Sequence, residues 1–483
     1  MADDVFYTFT GGDCSQTHPD FFCIIALLFR YVGMTSTTIR IRKGLDIRLL
    51  GEARQKTSEI NPRTFASKPI DFPEVFPRLT VQEGDRVLAG SPLYHDKNRE
   101  QVLFTSPVSG TVKEIRRGEK RRLLEVIVES DGENQGVDFG KADPALLSRE
   151  EIIDKILKSG IWPVLRQRPF NIIANPAETP KTIVIPAFDT APLAPDFNFI
   201  VTGEAKAFQT GITALAKLTS GKVHLNVTSQ PEPSPVFLDA RGVHLNRFSG
   251  PHPAGNVSAQ IARLDPVNKG EVIWYLRPQE VLTIGRFFLT GTYDSNRTFA
   301  LTGPMVKEPA YFKTRSGACI HDMIDHRITT GNPRFISGNV LTGNKIEANG
   351  YAGFYDNQVT VIPEGNHSEF LGWAMPGWNK FSFYRQFFSF LFPQKKYSLD
   401  TNLHGGHRSF VITGKYEKVF PFDIYPMQLL KAILAEDIDL MENLGIYEID
   451  AEDFALIEFI DTSKTDIQAL VRQGLDLVRK ETT

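Results

Sequence analysis

Two stretches decide the fold: residues 81–93, VQEGDRVLAGSPL, and residues 104–115, FTSPVSGTVKEI. Gly84, Asp85 and Gly90 supply turns in the first. Ser106, Pro107, Ser109 and Gly110 bend the chain in the second. Between these breakers lie short apolar runs of strand length. The whole segment from Thr38 to Glu129 therefore reads as all-β, with tight connections and no helical period.

Outward from this segment the period changes. Ser148 precedes REEIIDKILK with a glutamate three residues on, the signature of a capped helix, and Gly160 ends it. Thr182–Phe188 is a buried-strand type, and Phe199–Val201 is a second strand candidate. A helix over 204–218 and a strand over 222–227 follow. Helices over 257–263 and 278–285 flank a strand over 272–276. Alternation of this kind predicts an open α/β domain. Short strands with glycine turns return between Phe287 and Ile362, and helices are expected at 426–435, 438–444 and 465–482. The expected fold class is α/β plus β in several domains: an atypical leader (1–33), a β-sandwich (34–140), an α/β domain (141–286), a β-rich module (287–362) and a C-terminal β/helical region (363–483).

The bulk numbers agree with several domains, since 483 residues exceed what one core usually serves. A net charge of −3 gives no basic face for nucleic acid. Cys14, Cys23 and Cys319 form no C-x-x-C pair, which excludes a zinc ribbon, an iron–sulfur cluster or a disulfide framework and fits a reducing compartment. The longest apolar run, Phe21–Phe29, falls short of the roughly 20 residues a membrane span needs. The chain is expected to be soluble by itself. Met34, just before the strand expected at 38–42, reads as the natural start, with a genuine anchoring or disordered leader as the alternative.

No dinucleotide fingerprint, phosphate loop, zinc-protease motif or nucleophile elbow is present. Lys97 lies where a carrier lysine would, but the connection to Pro107 looks stretched, so a plain solvated lysine is expected. Two prolines and two glycines frame His252 in GPHPAG (250–255), either as a rigid structural loop or as a ligand or partner site. Asp189 follows the apolar strand, where α/β sheets bind ligands, or simply makes a turn. His404 and His407 are separated by two glycines and lack a third metal ligand nearby. SGAC (316–319) lacks the threonine hydroxyl for phosphate-linked flavin. Arg116–Arg122 is a basic hairpin, solvated or facing anionic lipid or an acidic partner. Phe381–Phe392 is dense in aromatics and is expected to pack in a core; an exposed version would be a docking surface.

The "V-x-x-G-D-x-V-x-x-G … S-P-x-x-G-x-V" pattern resembles lipoyl and biotinyl carrier domains. Together with IRKGLD (41–46), LRQRPF (165–170), DTAPLA (189–194), GPHPAG (250–255), ISGNVLTG (336–343) and LGWAMPGWNKFS (371–382), in that order, it resembles the A subunits of Na+-translocating NADH:quinone reductases. The resemblance covers nearly all of the chain after Met34. It implies a six-subunit complex that reduces ubiquinone with electrons from NADH and exports Na+. It implies a carrier-like β-sandwich, a Rossmann-like domain and a β-grasp-like ligand-binding-type module. FAD, FMN, riboflavin and a 2Fe-2S cluster would belong to other subunits, with no cofactor and no metal held by this chain. The implied place is peripheral, on the cytoplasmic side of the bacterial inner membrane, against the large membrane subunit.

A quinone site needs an apolar groove and a few donors. Trp162, Arg166, Arg168 and Phe170 are candidates, as are Phe72 and Phe76 in a proline-rich stretch; the alternative for both is a rigid interdomain linker. The rival functions are a pure scaffold within the same complex and a lipoyl-type carrier. The related electron-transport protein with ferredoxin-type clusters needs cysteine motifs that this sequence lacks.

Overall fold

A computed structural model describes residues 38–367, 369–371, 375–410 and 414–482. The expected leader, the start at Met34, Cys14 and Cys23 lie outside the described residues.

The stretch that opened the sequence reading forms two small antiparallel sheets. One runs β3 (Thr64–Ser67), β9 (Leu123–Ser130), β8 (Gly110–Arg117), β5 (Arg86–Val87). The other runs β4 (Pro77–Leu79), β6 (Pro92–Asp96), β7 (Arg99–Thr105). Leu93, Tyr94, Val102, Val112 and Val126 are buried between them, as alternation along half-buried strands requires. The β6–β7 connection is a two-residue turn, Lys97 and Asn98, with Asp96 opposite Arg99. It is tight where a stretched connection was expected.

The α/β part is built on a seven-stranded sheet. Five strands are parallel, in the order β1 (Thr38–Arg40), β14 (His244–Ser249), β13 (Val223–Thr228), β12 (Thr182–Pro186), β15 (Ile273–Tyr275). An antiparallel hairpin, β10 (Arg166–Arg168) and β11 (Ile172–Ile173), extends it beyond β15. Helix α1 (Arg149–Lys158) starts with the capping box of Ser148 and Glu151. Helices α2 (Ala205–Leu218), α3 (Val257–Leu264) and α4 (Pro278–Thr290) connect or flank the strands. Phe197–Ile200 is a helical turn capped by Asp196, where a strand was expected; the Asp196 side chain accepts from the Asn198 N–H, and that cap overrides the β-propensity of the following residues.

Helices α2 and α4 approach closely through glycines. A Cβ on Gly285 would stand 1.8 Å from the Ala207 carbonyl oxygen, and one on Gly211 would stand 2.3 Å from that of Val281.

A six-stranded mixed sheet follows, in the order β19 (Asn344–Ile346), β18 (Pro333–Ser337), β20 (Gln358–Pro363), β16 (Asn296–Thr302), β17 (Ala310–Arg315), β2 (Arg54–Glu59). Chain order and sheet membership therefore part company at the beginning: β1 and β2, expected with the all-β segment, are edge strands of the two other sheets. One continuous apolar core joins the β-sandwich, the α/β part and the six-stranded sheet. A second core lies in the C-terminal helices α5 (Pro426–Leu434), α6 (Ile438–Asn443), α7 (Ala455–Ile460) and α8 (Ile467–Thr482), and takes in Phe170 and Ile172 of the hairpin. No helix among the described residues is long and apolar enough to cross a membrane.

Candidate functional site

The candidates of 162–170 sit on the β10–β11 hairpin and the turn before it. Pro163 favours the 3-10 turn Trp162–Val164, and Trp162 is fully buried there. Its indole N–H donates to the Ala174 carbonyl at 2.7 Å, and its ring meets Trp274 edge-on at 5.5 Å. Antiparallel pairing with β15 sets Arg166 opposite Tyr275. The Arg166 guanidinium lies over the Tyr275 ring at 4.5 Å and over the Tyr355 ring at 4.2 Å. Cation–π contacts of this kind strengthen when water is excluded. The Tyr355 hydroxyl donates to the Pro163 carbonyl at 2.7 Å, and its ring meets Phe72 at 5.7 Å. Phe72 also packs on Phe104 and Phe354.

Tyr355 thus joins Phe72 to Arg166, and a residue from each of the β-sandwich, the α/β part and the six-stranded module meets there. Phe76 stays apart: its ring is 59% exposed.

The Arg168 guanidinium also lies over the Tyr275 ring, at 5.1 Å, and reaches on to the C-terminal part of the chain. It is buried and forms ion pairs with Asp450 at 2.8 Å and Glu452 at 2.7 Å. Burial works to lower its pKa, but the charges around it, Asp450 foremost, raise it above the ordinary arginine value. Burial, then the charge of Glu452, pushes the neighbouring Asp453 carboxyl up to about 7. Phe170, in the left-handed region at φ 76°, sets its ring against Tyr447 at 5.9 Å, and its carbonyl accepts from Arg472 at 2.7 Å. The hairpin therefore clamps the C-terminal helices to the α/β part.

None of the six residues lines either of two cavities among the described residues. One of about 10 Å³ lies among Val164, Gln279, Arg297 and Phe354. An open one of about 510 Å³ lies among Leu50, Glu52, Arg54, Pro304 and Lys396.

Asp189 and His252 are brought together at the carboxyl ends of the parallel strands. The chain leaves β12 for β13 on one side and places β15 on the other, so the ends of β12 and β15 mark the point where strand order reverses. Ligand crevices open at such points. Here Asp189 and Arg277 face each other across it in an ion pair at 2.5 Å. Burial acts to raise the Asp189 carboxyl, and Arg277 outweighs it and holds it below the usual range. His252 lies beside them, with its Nδ1 3.1 Å from the Thr190 hydroxyl. That hydroxyl oxygen accepts from the Gly255 N–H at 2.9 Å, which leaves its proton for Nδ1. Burial pushes the imidazole down to about 4 against the pull of Asp189 and Asp46, so it is neutral near pH 7. Gly255 is required there, because a Cβ would stand 2.6 Å from the Thr190 nitrogen.

The aromatic run reads differently in the structure. Phe387 is buried, but Phe388, Phe390, Leu391 and Phe392 are exposed, which corrects the expectation of core packing. Helical periodicity is absent from FSFYRQFFSFLF, and the chain makes only the 3-10 turn Phe388–Leu391, too short to bury every ring. In the basic hairpin, Arg116 pairs with Glu114 and Glu125, each at 2.9 Å, and Lys120 and Arg121 form the tip. Cys319 is half-buried, and burial pushes its thiol up. Among the described residues no three His, Cys, Asp or Glu side chains gather as a metal would need.

Sequence reasoning missed Tyr275, Tyr355, Arg277 and Asp450. Each meets its partner across at least 80 residues of chain, so no local spacing announces them.

Comparison with known proteins completes the picture. Residues 39–131 match the family described as the NqrA N-terminal barrel-sandwich hybrid domain, residues 147–293 the NqrA second alpha/beta domain, and residues 298–348 the NQRA C-terminal domain. The A subunit of the Na(+)-translocating NADH-quinone reductase of Rhodopirellula baltica is 38% identical over 456 residues, covering 92% of this chain and 99% of that one. Its counterparts in Yersinia pestis bv. Antiqua and Pasteurella multocida are also 38% identical, each covering 92% of this chain and 100% of theirs. Among solved structures, an NAD+-reducing NiFe-hydrogenase in the air-oxidized state aligns distantly, over 69% of this chain and 58% of that one at 12% identity and a TM-score of 0.34. The three domain matches and the near full-length relatives agree: the chain belongs to the NqrA family, the A subunits of the Na(+)-translocating NADH-quinone reductases, and is a component of that respiratory translocase.

Proposed function

We propose that this chain is an adaptor: it docks on the membrane subunits of the complex from the cytoplasmic side and carries no electron itself. NADH, the flavins and the 2Fe-2S cluster then belong to the partner subunits. One observation carries the reading. The crevice where an α/β sheet of this order would take a nucleotide is filled by the chain's own Asp189–Arg277 ion pair and His252. On this reading the seven-stranded sheet is a Rossmann-like domain kept for shape, and the six-stranded one a β-grasp-like module.

A tag on the chain should retrieve from membranes a complex with Na+-stimulated NADH:quinone activity. The isolated chain titrated with NADH should give no saturable change in tryptophan fluorescence. Stoichiometric NADH binding by the isolated chain would overturn the adaptor reading.

A second reading adds contact with ubiquinone, and Arg166 favours it. Its Nε is buried without a hydrogen-bond partner between two tyrosine rings, a donor suited to a quinone carbonyl. Photo-crosslinking the assembled complex with a quinone analogue separates the two. Label within 161–174 or on Phe72 supports quinone contact, and label on membrane subunits alone leaves the pure scaffold.

A further inference from the structure

Between Glu369 and Lys396 the sequence holds four basic residues, Lys380, Arg385, Lys395 and Lys396, and one acid, Glu369. That is a formal +3 (4 − 1) within a chain of net charge −3. The same segment exposes Phe370, Met375, Trp378, Phe390, Leu391 and Phe392. Isolated exposed apolar residues are ordinary; several on one short segment mark a surface that is covered in use.

The segment is fixed from below. Phe387 is buried, and Phe381 packs on Tyr397 at 5.8 Å and on Phe459 of α7 at 6.1 Å. Within the exposed layer, Trp378 stands edge-on to Phe388 at 5.2 Å, and the Arg385 guanidinium lies over the Phe390 ring at 5.5 Å. The Lys395 ammonium donates to the Trp378 carbonyl at 2.7 Å, and Lys396 pairs with Glu52 at 2.9 Å. The rings are therefore presented outward, with cations set at their bases.

We propose that this face is an interfacial anchor that seats in the headgroup layer of an anionic bilayer beside the complex. Large amphipathic rings settle at headgroup depth, and basic side chains next to them pair with lipid phosphates. The net positive charge of the segment, with Lys380 paired to Glu369 and Lys396 to Glu52, fits an anionic surface. The proposal rests on membership of a membrane-bound complex, and not on the adaptor reading or the quinone reading.

The test uses the full chain and vesicle co-sedimentation. Phosphatidylglycerol-containing vesicles should retain the protein, and vesicles of phosphatidylcholine alone should retain far less. Binding to the anionic vesicles should weaken as salt rises. Removing a cation (R385Q or K396Q) should weaken it about fivefold each. F390S/L391S, which removes buried hydrocarbon from the anchor, should weaken it about tenfold or more. These side chains are exposed, so thermal midpoints should stay at the wild-type value. R117Q/R121Q in the distant basic hairpin should leave binding unchanged. Three results would overturn the anchor: no retention on anionic vesicles, retention indifferent to F390S/L391S, or attachment that appears only when the membrane subunits are present, which would make the face a protein interface.

Discussion

At the scale of single residues, the contest is between charge and burial. Arg168 is the clearest case. Its ion pair with Asp450 is dry, while Glu452 keeps an edge in solvent, so Arg168 and Asp450 each depend on the other being charged. Substituting Arg168→Met leaves buried Asp450 with Arg472 at 3.9 Å as its nearby cation, and with the Asn171 amide and the Ala451 N–H as uncharged donors. Breaking a buried pair from one side costs about 3–5 kcal/mol, whereas removing both charges costs much less. R168M should therefore lower the urea midpoint markedly, and R168M/D450N should recover most of it. Equal loss in both variants would locate the cost in packing.

His252 makes a pH prediction. Its native pKa is pushed down to about 4, while the unfolded chain binds a proton below about 6.5. The unfolded state thus gains protons first as pH falls. The stability that His252 contributes is complete above about pH 6.5 and is lost between there and about 4, on the order of 3 kcal/mol. His252→Asn keeps an acceptor near the Thr190 hydroxyl and does not titrate. Thermal midpoints at pH 7 and pH 5 should converge in H252N relative to wild type; an unchanged difference would assign the acid loss to other groups such as His224, which burial also pushes down to about 4.

At the scale of elements, the sequence was legible wherever local chemistry decides. Ser148 and Glu151 marked the start of α1, and the periods over 204–218 and 278–285 marked α2 and α4. It was not legible where a residue's neighbour comes from far along the chain. Gly285 illustrates this. In sequence it is a weak helix residue, and Gly→Ala in a helix normally gains about 1 kcal/mol. In the fold, an added methyl would stand 1.8 Å from the Ala207 carbonyl oxygen of the facing helix. Backbone cannot yield as a side-chain tip can, and overpacking of this kind costs about 1–3 kcal/mol or more. Gly285→Ala is expected to lower the thermal midpoint despite its better propensity. A raised midpoint would mean that α2 and α4 separate freely.

At the scale of the whole molecule, the candidate site divides along the same line. The turn residues of the β-sandwich and the GPHPAG loop were visible because glycine and proline constrain their own backbone. The role of LRQRPF was not, because Arg166 and Arg168, two residues apart on one strand and both over the Tyr275 ring, take their further partners from distant parts of the chain: Tyr355 in one case and Asp450 in the other. Strand alternation says that such residues share a face, but not which distant partners their long side chains reach.

The two earliest strands have a consequence for biosynthesis. As the polypeptide emerges from the ribosome, the two sandwich sheets have all their strands by residue 130. Thr38–Arg40 must wait for residue 249 to complete its pairing, and Arg54–Glu59 must wait for residue 315. Translation thus leaves the upstream arm dangling past a finished module for roughly 120 to 190 further codons, so these two strands are secured only after a module made downstream of them.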